Sequence, residues 1–196
     1  MMKTTMKAIL AVVILGWMAN APALAQQKYQ LTGNNYSLKI EGTSNVHDWS
    51  MEAEQVTGTA LVQFGENGLE GFDQVNVSVQ SKKIESGKRI MNNKTYDALE
   101  ADDYPRIRYE LISVSNLQSS GDQFSGKATG KLEIAGESSI VTIPFQGTIV
   151  NGNTFKVKGD FALKMTDFGI DPPTAMLGTL KTGNQLTLNY EFTFNQ

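Results

Sequence analysis

The feature that most constrains the fold is an alternation of apolar and polar residues, with a period of two, along most of the chain. Runs with this alternation cover positions 56–64, 75–79, 107–111, 124–134, 141–149, 155–165 and 186–195. Successive side chains of a strand point to opposite faces, so this pattern predicts half-buried β-strands. The Asn151-Gly152 step between two of the runs is a strong hairpin signal. The sequence therefore predicts an all-β fold of antiparallel strands.

The first 25 residues have the organisation of a secretory signal peptide. Two lysines precede an uncharged apolar run over 8–17, and a small-x-small pattern ends at Ala25. We expect cleavage after Ala25, which leaves 26–196 as one exported domain in the periplasm or outside the cell. The alternative is a transmembrane anchor, but the apolar run is shorter than the roughly 20 residues that span a bilayer. Since no later segment approaches that length, we expect no integral membrane segment in the mature protein.

Composition excludes several classes of function. The chain has no cysteine and one histidine, which rules out thiol catalysis, thiolate zinc sites, iron–sulfur clusters and multi-histidine metal sites. Its formal net charge is −3, and removal of the two lysines in the signal segment changes this charge to −5. A mildly acidic domain without a basic block is a poor nucleic-acid binder. We expect no metal, no cofactor and no nucleic-acid partner.

Two architectures fit about eight amphipathic strands, the β-sandwich and the β-barrel. Five glycines fall mostly on the apolar parity of the strands: Gly58, Gly126, Gly130, Gly147 and Gly159. Inward glycines permit the sharp coiling that a barrel requires or leave interior volume for a ligand, although they also mark simple bulges. We predict a barrel. Its interior either packs solid or holds one ligand, and the residue pattern alone favours neither outcome.

Two segments interrupt the alternation. The first, 87–99, has widely spaced apolar residues and predicts a short, weakly amphipathic helix or an irregular crossover before Pro105. The second, 167–173, contains a glycine and two consecutive prolines and predicts a turn-rich loop before the last strand. An apolar strand left at an edge of the sheet would also allow a homodimer.

His47, Asp48 and Trp49 form the most conspicuous polar cluster. A histidine beside an aspartate suits acid–base catalysis, because histidine as a residue type titrates near neutral pH. Neighbours along a strand point to opposite faces, however, and no nucleophile motif accompanies the pair. The structural interpretation is that Trp49 fills one end of the barrel while His47 or Asp48 bonds to the backbone. We favour this interpretation and assign no catalytic residue.

Several segments, in order, resemble the YceI-like family of bacterial periplasmic proteins. They are 42–51 (GTSNVHDWSM), 91–99 (MNNKTYDAL) with 104–107 (YPRI), 130–136 (GKLEIAG) and 165–173 (MTDFGIDPP). The resemblance implies an extended, lipocalin-like antiparallel β-barrel of eight strands, with one short helix near the mouth. It also implies an isoprenoid or similar amphiphilic lipid along the barrel axis. Asn92 and Asn93 stand where relatives often carry charged residues or histidine, so no head-group contact is transferred from the family.

The resemblance favours a periplasmic carrier or sequestering protein for a long-chain isoprenoid or other lipid. We expect inward-facing residues to line the barrel and two residues of the helix segment to gate its mouth. The candidates are Phe64, Val77, Tyr109, Phe145, Phe161, Met165, Leu188 and Phe192 for the lining, with Met91 and Tyr96 at the mouth. Two alternatives stay open: a lipid-modifying enzyme that uses His47 as its base, and a protein-interaction module whose barrel is filled.

Overall fold

Strands account for most of the residues that the computed structural model describes, which are 25–65 and 68–196. The strands are β1 (Ala25–Leu31), β2 (Tyr36–Ser44), β3 (Trp49–Ala53), β4 (Val56–Gly65), β5 (Gly68–Gln80), β6 (Ile84–Glu85), β7 (Arg106–Ser120), β8 (Gln123–Ile134), β9 (Glu137–Asn151), β10 (Thr154–Lys164), β11 (Thr174–Ala175) and β12 (Leu180–Asn195). The helical elements of this part are α1 (Arg89–Ala98) and short 3-10 helices at Ser81–Lys83, Met165–Phe168 and Met176–Gly178. No helix within it is long and apolar enough to cross a membrane. Apart from Ala25, the predicted signal segment lies outside the described residues.

Eight of the strands follow one another around a closed ring. The hydrogen-bonded order is β1-β4-β5-β7-β8-β9-β10-β12, and Gln30 of β1 pairs with Asn195 of β12 to close the circuit. All of these pairings are antiparallel, and the predicted Asn-Gly hairpin joins β9 to β10 between Asn151 and Thr154. The predicted all-β antiparallel fold, with eight strands in a ring and a short helix, is confirmed.

A branch of three short strands widens one end of the ring. β12 pairs with β1 at Asn195, whereas it pairs with β2 from Thr182 to Phe192. β3 follows β2 in the sheet, and β6 follows β3. The helix α1 docks on this branch, where the Thr95 hydroxyl lies 3.2 Å from the sulfur of Met51. We call this end of the ring the mouth.

Aromatic side chains fill the opposite end, which we call the closed end. The rings in mutual contact there belong to Tyr29, Phe64, Phe72, Phe124, Phe145, Phe155 and Phe194. Phe155 stacks on Phe194 with ring centroids 5.0 Å apart. The Tyr29 hydroxyl donates a hydrogen bond to the carbonyl of Gly152, 2.9 Å away in the β9–β10 turn. Because each aromatic pair contributes about 0.5–1.5 kcal/mol beyond its area burial, this end is held firmly.

The inward glycines accommodate aromatic rings. A Cβ atom added to Gly147 would collide with the ring of Phe124, and one added to Gly130 would collide with the ring of Tyr109. Each ring reaches over from a neighbouring strand and covers the bare backbone of the glycine. Large aromatic side chains fit inside a ring of eight strands for this reason. The glycines therefore make room for the lining residues themselves.

The segment predicted as a turn-rich loop forms part of the mouth. The 3-10 helix Met165–Phe168 ends at Gly169, whose φ of 69° lies in the left-handed region that favours glycine. Phe168 and Ile170 are buried and pack in one apolar cluster with Leu163. The inward alternation of β10 thus continues through the short helix, and its buried residues anchor the loop that leads to β11.

Candidate functional site

The ring encloses an apolar compartment of about 200 Å³, which we call the inner compartment. It is lined by Leu38, Ile40, Ala60, Phe72, Val75, Val77, Val79, Ile84, Ile107, Tyr109, Leu111, Val114, Ala128, Leu132, Ile134, Ile143, Phe145, Phe155, Val157, Phe161, Leu188, Tyr190, Phe192 and Phe194. The polar side-chain atoms of this lining are the hydroxyls of Tyr109 and Tyr190. Every other side chain is hydrocarbon, so the compartment suits an apolar occupant.

A second compartment of about 650 Å³ lies at the mouth, and we call it the outer compartment. Its walls come from α1, from the β2–β3 hairpin, from the Met165–Phe168 helix and from the first half of β12. α1 contributes Met91, Thr95 and Ala98, which its helical spacing places on one face. The polar side chains at the edge of the compartment include His47 and three cationic side chains of the α1 region.

The two compartments adjoin. The side chains that line both are Ile40, Ile84, Ile107, Ile134 and Leu188. Along β12 the lining runs from Leu180 at the mouth to Phe194 at the closed end, which is about 46 Å of strand at about 3.3 Å per residue. A strand tilt of about 40° reduces this to roughly 35 Å along the axis. The protein therefore has one elongated apolar cavity with a single described mouth.

Two tyrosines supply the polar atoms of the inner compartment. The hydroxyl of Tyr190 donates a hydrogen bond to the carbonyl of Pro144 at 2.9 Å. The hydroxyl of Tyr109 is buried and has no hydrogen-bond partner among the described residues. Burial raises the pKa of Tyr109 to about 12, and burial followed by the charges of Tyr109 and Asp160 raises the pKa of Tyr190. Both phenols are neutral near pH 7, so the enclosed Tyr109 hydroxyl is an uncharged donor with no partner among the described residues.

The His47-Asp48-Trp49 cluster lies at the mouth. The ring of Trp49 packs against Gly42, its cross-strand partner, and its Nε1 donates a hydrogen bond to the Thr43 carbonyl at 2.9 Å. Nδ1 of His47 lies 2.7 Å from the backbone carbonyl oxygen of Asp48, and both residues are exposed. His47 is thus held by backbone, and Trp49 forms part of the wall.

Eight of the ten predicted lining and mouth residues contribute to the cavity. Those in the inner compartment are Val77, Tyr109, Phe145, Phe161 and Phe192. Those in the outer compartment are Met91 and Met165, and Leu188 lines both. Strand parity predicted the inward direction of those on strands, whereas Met91 was expected at the mouth as part of the helix segment.

Phe64 and Tyr96 lie away from both compartments. Phe64 is at the closed end next to the β4–β5 turn, with its ring centroid 6.1 Å from that of Tyr29. Its inward parity is right, but its position along the axis is beyond the cavity. Tyr96 lies on another face of α1, where burial, followed by the carboxylates of Glu85 and Glu54, raises its pKa. Met91 therefore borders the mouth without Tyr96.

The predicted set left out many lining residues of the inner compartment, and Leu38, Ile40 and Phe72 among them are instructive. The first two belong to β2, whose alternation over 36–42 is visible in the sequence and identifies them. Phe72 has the opposite parity to Val75 because the register shifts within β5. Leu61 pairs with Gln74 but Val62 pairs with Phe72, so Asp73 is an extra residue. A bulge of this kind reverses the inward parity, and nothing in the local sequence marks it.

The sequence model of the YceI-like domain matches residues 27–194. The chain belongs to the YceI-like family. The match covers nearly all of the ring strands, the branch at the mouth and α1, so the family assignment applies to the whole cavity. The comparison with curated protein sequences found no match.

Solved structures with this YceI-like fold come from several bacteria. BcnA of Burkholderia cenocepacia is 15% identical with a TM-score of 0.66, over 83% of this chain and 98% of that chain. A polyisoprenoid binding domain from Saccharophagus degradans, implicated in plant cell wall breakdown, is 12% identical with a TM-score of 0.67, over 88% and 99%. The Campylobacter jejuni YCEI protein is 16% identical with a TM-score of 0.56, over 97% and 99%. At these identities the likeness establishes the fold.

Proposed function

We propose that this protein binds a single long-chain isoprenoid or comparable lipid inside the ring and carries or sequesters it in the periplasm. The observation that carries the proposal is the elongated apolar cavity, which is open at the mouth and filled by aromatic rings at the closed end. A chain-like ligand placed there would gain about 25 cal/mol for each Å² of apolar surface that it removes from water. Together the inner and outer compartments, about 200 and 650 Å³, fall within the roughly 300–1,000 Å³ that ligand sites occupy.

The length of the cavity agrees with the ligand class. One isoprene unit adds four carbon–carbon bonds to a chain, roughly 5 Å when extended at ordinary bond lengths. The roughly 35 Å span of the lining therefore sets an upper limit of about seven units, because aromatic rings fill its closed end. The solved polyisoprenoid binding domain from Saccharophagus degradans, which shares the fold, supports the same class.

The inner compartment favours an uncharged polar group on the ligand. A charged head placed among hydrocarbon side chains without a counter-ion would cost several kcal/mol. A hydroxyl, ester or carbonyl oxygen would instead accept a hydrogen bond from Tyr109, whose hydroxyl is buried without a partner among the described residues. We therefore propose that a neutral acceptor of the lipid bonds to Tyr109 when the side chains that enclose its hydroxyl move apart on binding.

Export completes the proposed function. Residues 1–25 carry the signal pattern, and a carrier beyond the cytoplasmic membrane would receive its lipid from a bilayer. The absence of cysteine in the mature sequence means that the fold is independent of the redox state of its compartment. Detection of the mature chain in a periplasmic extract, beginning at Gln26, tests this step.

Filling the inner compartment tests the binding proposal. Ala128 lines the inner compartment, whereas Ala162 of β10 is exposed on the outside of the ring. Ala128→Phe places a ring in a space of about 200 Å³, and Ala162→Phe is the matched control. Lipids that co-purify with each variant are identified by native mass spectrometry followed by extraction and chromatography.

We expect the wild type and Ala162→Phe to retain the same lipid. Ala128→Phe should retain a shorter one, or less of it, while its far-ultraviolet circular dichroism stays that of the wild type. A wild-type protein that binds no prenyl lipid even when polyprenol is added would refute the proposal. So would an unchanged lipid profile in a folded Ala128→Phe variant.

A further inference from the structure

Three large apolar side chains around the mouth are left in solvent, and we call them the rim: Val46, Ile90 and Leu177. Their exposed fractions are 67%, 78% and 107%. They lie on three different elements, namely the β2–β3 turn, the first turn of α1 and the 3-10 helix between β11 and β12. Ile90 lines the outer compartment. Val46 precedes His47 and Leu177 lies two residues after Ala175, and both His47 and Ala175 line that compartment.

Hydrogen bonds hold two of these elements together. The Asn45 side chain donates to the carbonyl of Thr179 at 2.8 Å and accepts from the backbone N–H of Lys181 at 2.9 Å. The Asn45 backbone N–H donates in turn to the Lys181 carbonyl at 3.1 Å. Val46 and Leu177 therefore project from joined loops and not from independent tails. Leu177 has a φ of 54°, a left-handed conformation that a leucine adopts at a cost.

Cationic side chains accompany the rim. Lys88, Arg89 and Lys94 are exposed, line the outer compartment and take part in none of the ion pairs found among residues 25–65 and 68–196. Among the residues that the structure describes, no aspartate or glutamate lines this compartment. Asp48 and Glu41 lie in the adjoining groove, where Glu41 is bonded to Lys39 at 2.6 Å. Three cations thus border the α1 side of the mouth of a chain whose net charge is −3, while the exposed carboxylates of Asp48 and Asp171 lie beside the other segments of the mouth.

We propose that the rim docks on the surface of an anionic phospholipid bilayer. The exposed apolar side chains would enter the boundary between head groups and acyl chains, and the adjacent cations would meet lipid phosphates. This placement sets the mouth of the cavity against hydrocarbon, so a lipid passes between bilayer and protein without crossing water. Charge complementarity selects the bilayer, because apolar tips flanked by cations around a lipid-sized opening match an anionic membrane surface.

Vesicle binding tests the docking surface. The protein is mixed with vesicles of equimolar phosphatidylcholine and phosphatidylglycerol, or of phosphatidylcholine alone, and the bound fraction is measured by flotation. Ile90→Ser with Leu177→Ser removes two rim side chains, and we expect at least about a tenfold loss of partitioning. Lys88→Gln, Arg89→Gln and Lys94→Gln should each weaken binding to the anionic vesicles about fivefold.

Two exposed isoleucines on the outer wall provide the matched control. Ile112 and Ile140 are 60% and 61% exposed and lie on β7 and β9. Ile112→Ser with Ile140→Ser should leave vesicle binding unchanged. All the changed side chains are exposed, so every variant should keep the melting temperature of the wild type within a few degrees.

Several outcomes would overturn the inference. Equal binding of the wild type to neutral and anionic vesicles would do so, as would equal losses in the rim and outer-wall variants. A concentration-dependent dimer that the rim variant abolishes, without vesicle binding, would assign the rim to a second copy of the chain. Docking is separable from the proposed cargo: vesicle binding by a protein that takes up no lipid would support docking while refuting the carrier function.

Discussion

Tyr109→Phe removes one oxygen atom from the inner compartment and so tests whether that hydroxyl donates a hydrogen bond to a ligand. In the protein without ligand the Tyr109 hydroxyl is buried with no partner among the described residues. A buried hydroxyl in this condition costs about 1–3 kcal/mol. A single water would find too few polar partners in this apolar compartment to relieve the cost. We therefore expect Tyr109→Phe to raise the free energy of unfolding of delipidated protein by about 1 kcal/mol, or roughly 2–4 °C in melting temperature.

The same substitution should weaken binding of a lipid that carries an acceptor. The hydrogen bond from Tyr109 to a neutral oxygen is worth about 0.5–1.5 kcal/mol, so affinity for a polyprenol should fall about two- to tenfold. Affinity for a hydrocarbon of the same length, such as squalene, should stay the same or rise. Chemical denaturation measures the stability, and the fluorescence of Trp49, which lines the outer compartment, reports the binding.

Tyr190→Phe is the matched control because its hydroxyl already has a partner. It donates to the Pro144 carbonyl at 2.9 Å, so its loss should lower the free energy of unfolding by about 1 kcal/mol. The two substitutions should therefore change the free energy of unfolding in opposite directions. Tyr109→Phe destabilising the delipidated protein as much as Tyr190→Phe, or leaving the polyprenol-to-squalene preference intact, would refute it.

Three further predictions concern stability. Gly147→Ala should cost about 1–3 kcal/mol because its Cβ meets the buried Phe124 ring, whereas Gly152→Ala, with nothing within 4 Å, should be nearly neutral in denaturant unfolding. Ala135→Asn should add about 0.5–1 kcal/mol to the free energy of unfolding, because Ala135 has a φ of 49° in a hairpin turn that favours asparagine; unchanged stability would contradict this. Since the pKa of Tyr109 is raised to about 12, stability should fall as pH rises from about 10 to 12, by up to about 1.4 kcal/mol per pH unit. Denaturation at successive pH values should show a shallower fall in Tyr109→Phe.

The strand parity in the sequence predicts the lining well because the ring has one buried face. Each strand must turn its apolar side inward, and a slip of one residue would expose all of it. Val77, Phe145 and Phe192 therefore lie where the alternation places them. The hairpin at Asn151 follows from the same local logic, since the Asn-Gly step has a turn preference of its own.

The alternation of apolar and polar residues does not predict where along the axis of the ring a side chain lies. Phe64 has the same inward parity as Ala60, yet Phe64 lies at the closed end while Ala60 lines the inner compartment. The difference is set by the stagger of the strands around the ring, which depends on pairings between distant segments. Phe72 shows the second gap, because the bulge at Asp73 that turns its ring inward arises from pairing with β4.

The rim could not be predicted from the sequence, for a related reason. Val46, Ile90 and Leu177 are isolated apolar residues in three loops, and a single exposed apolar residue has no significance by itself. They acquire one when the hairpin, α1 and the β11–β12 connection meet around the same opening. The folded arrangement, not any local pattern, brings the three together.

The asymmetry of the cavity has a consequence for exchange. Aromatic rings fill the closed end, so a bound lipid would leave by the mouth through which it entered. Its affinity would be set mainly by the hydrocarbon of both compartments, whereas the rate of exchange would depend on α1, which borders the mouth with Met91, Thr95 and Ala98. The Asn92 side chain ties that helix to the segment before it, since its oxygen accepts hydrogen bonds at 2.8 Å from the backbone and hydroxyl of Ser86. Asn92→Ala should therefore accelerate lipid release more than it changes equilibrium binding. The substitution would let α1 move more readily but would leave unchanged the apolar walls that hold the lipid.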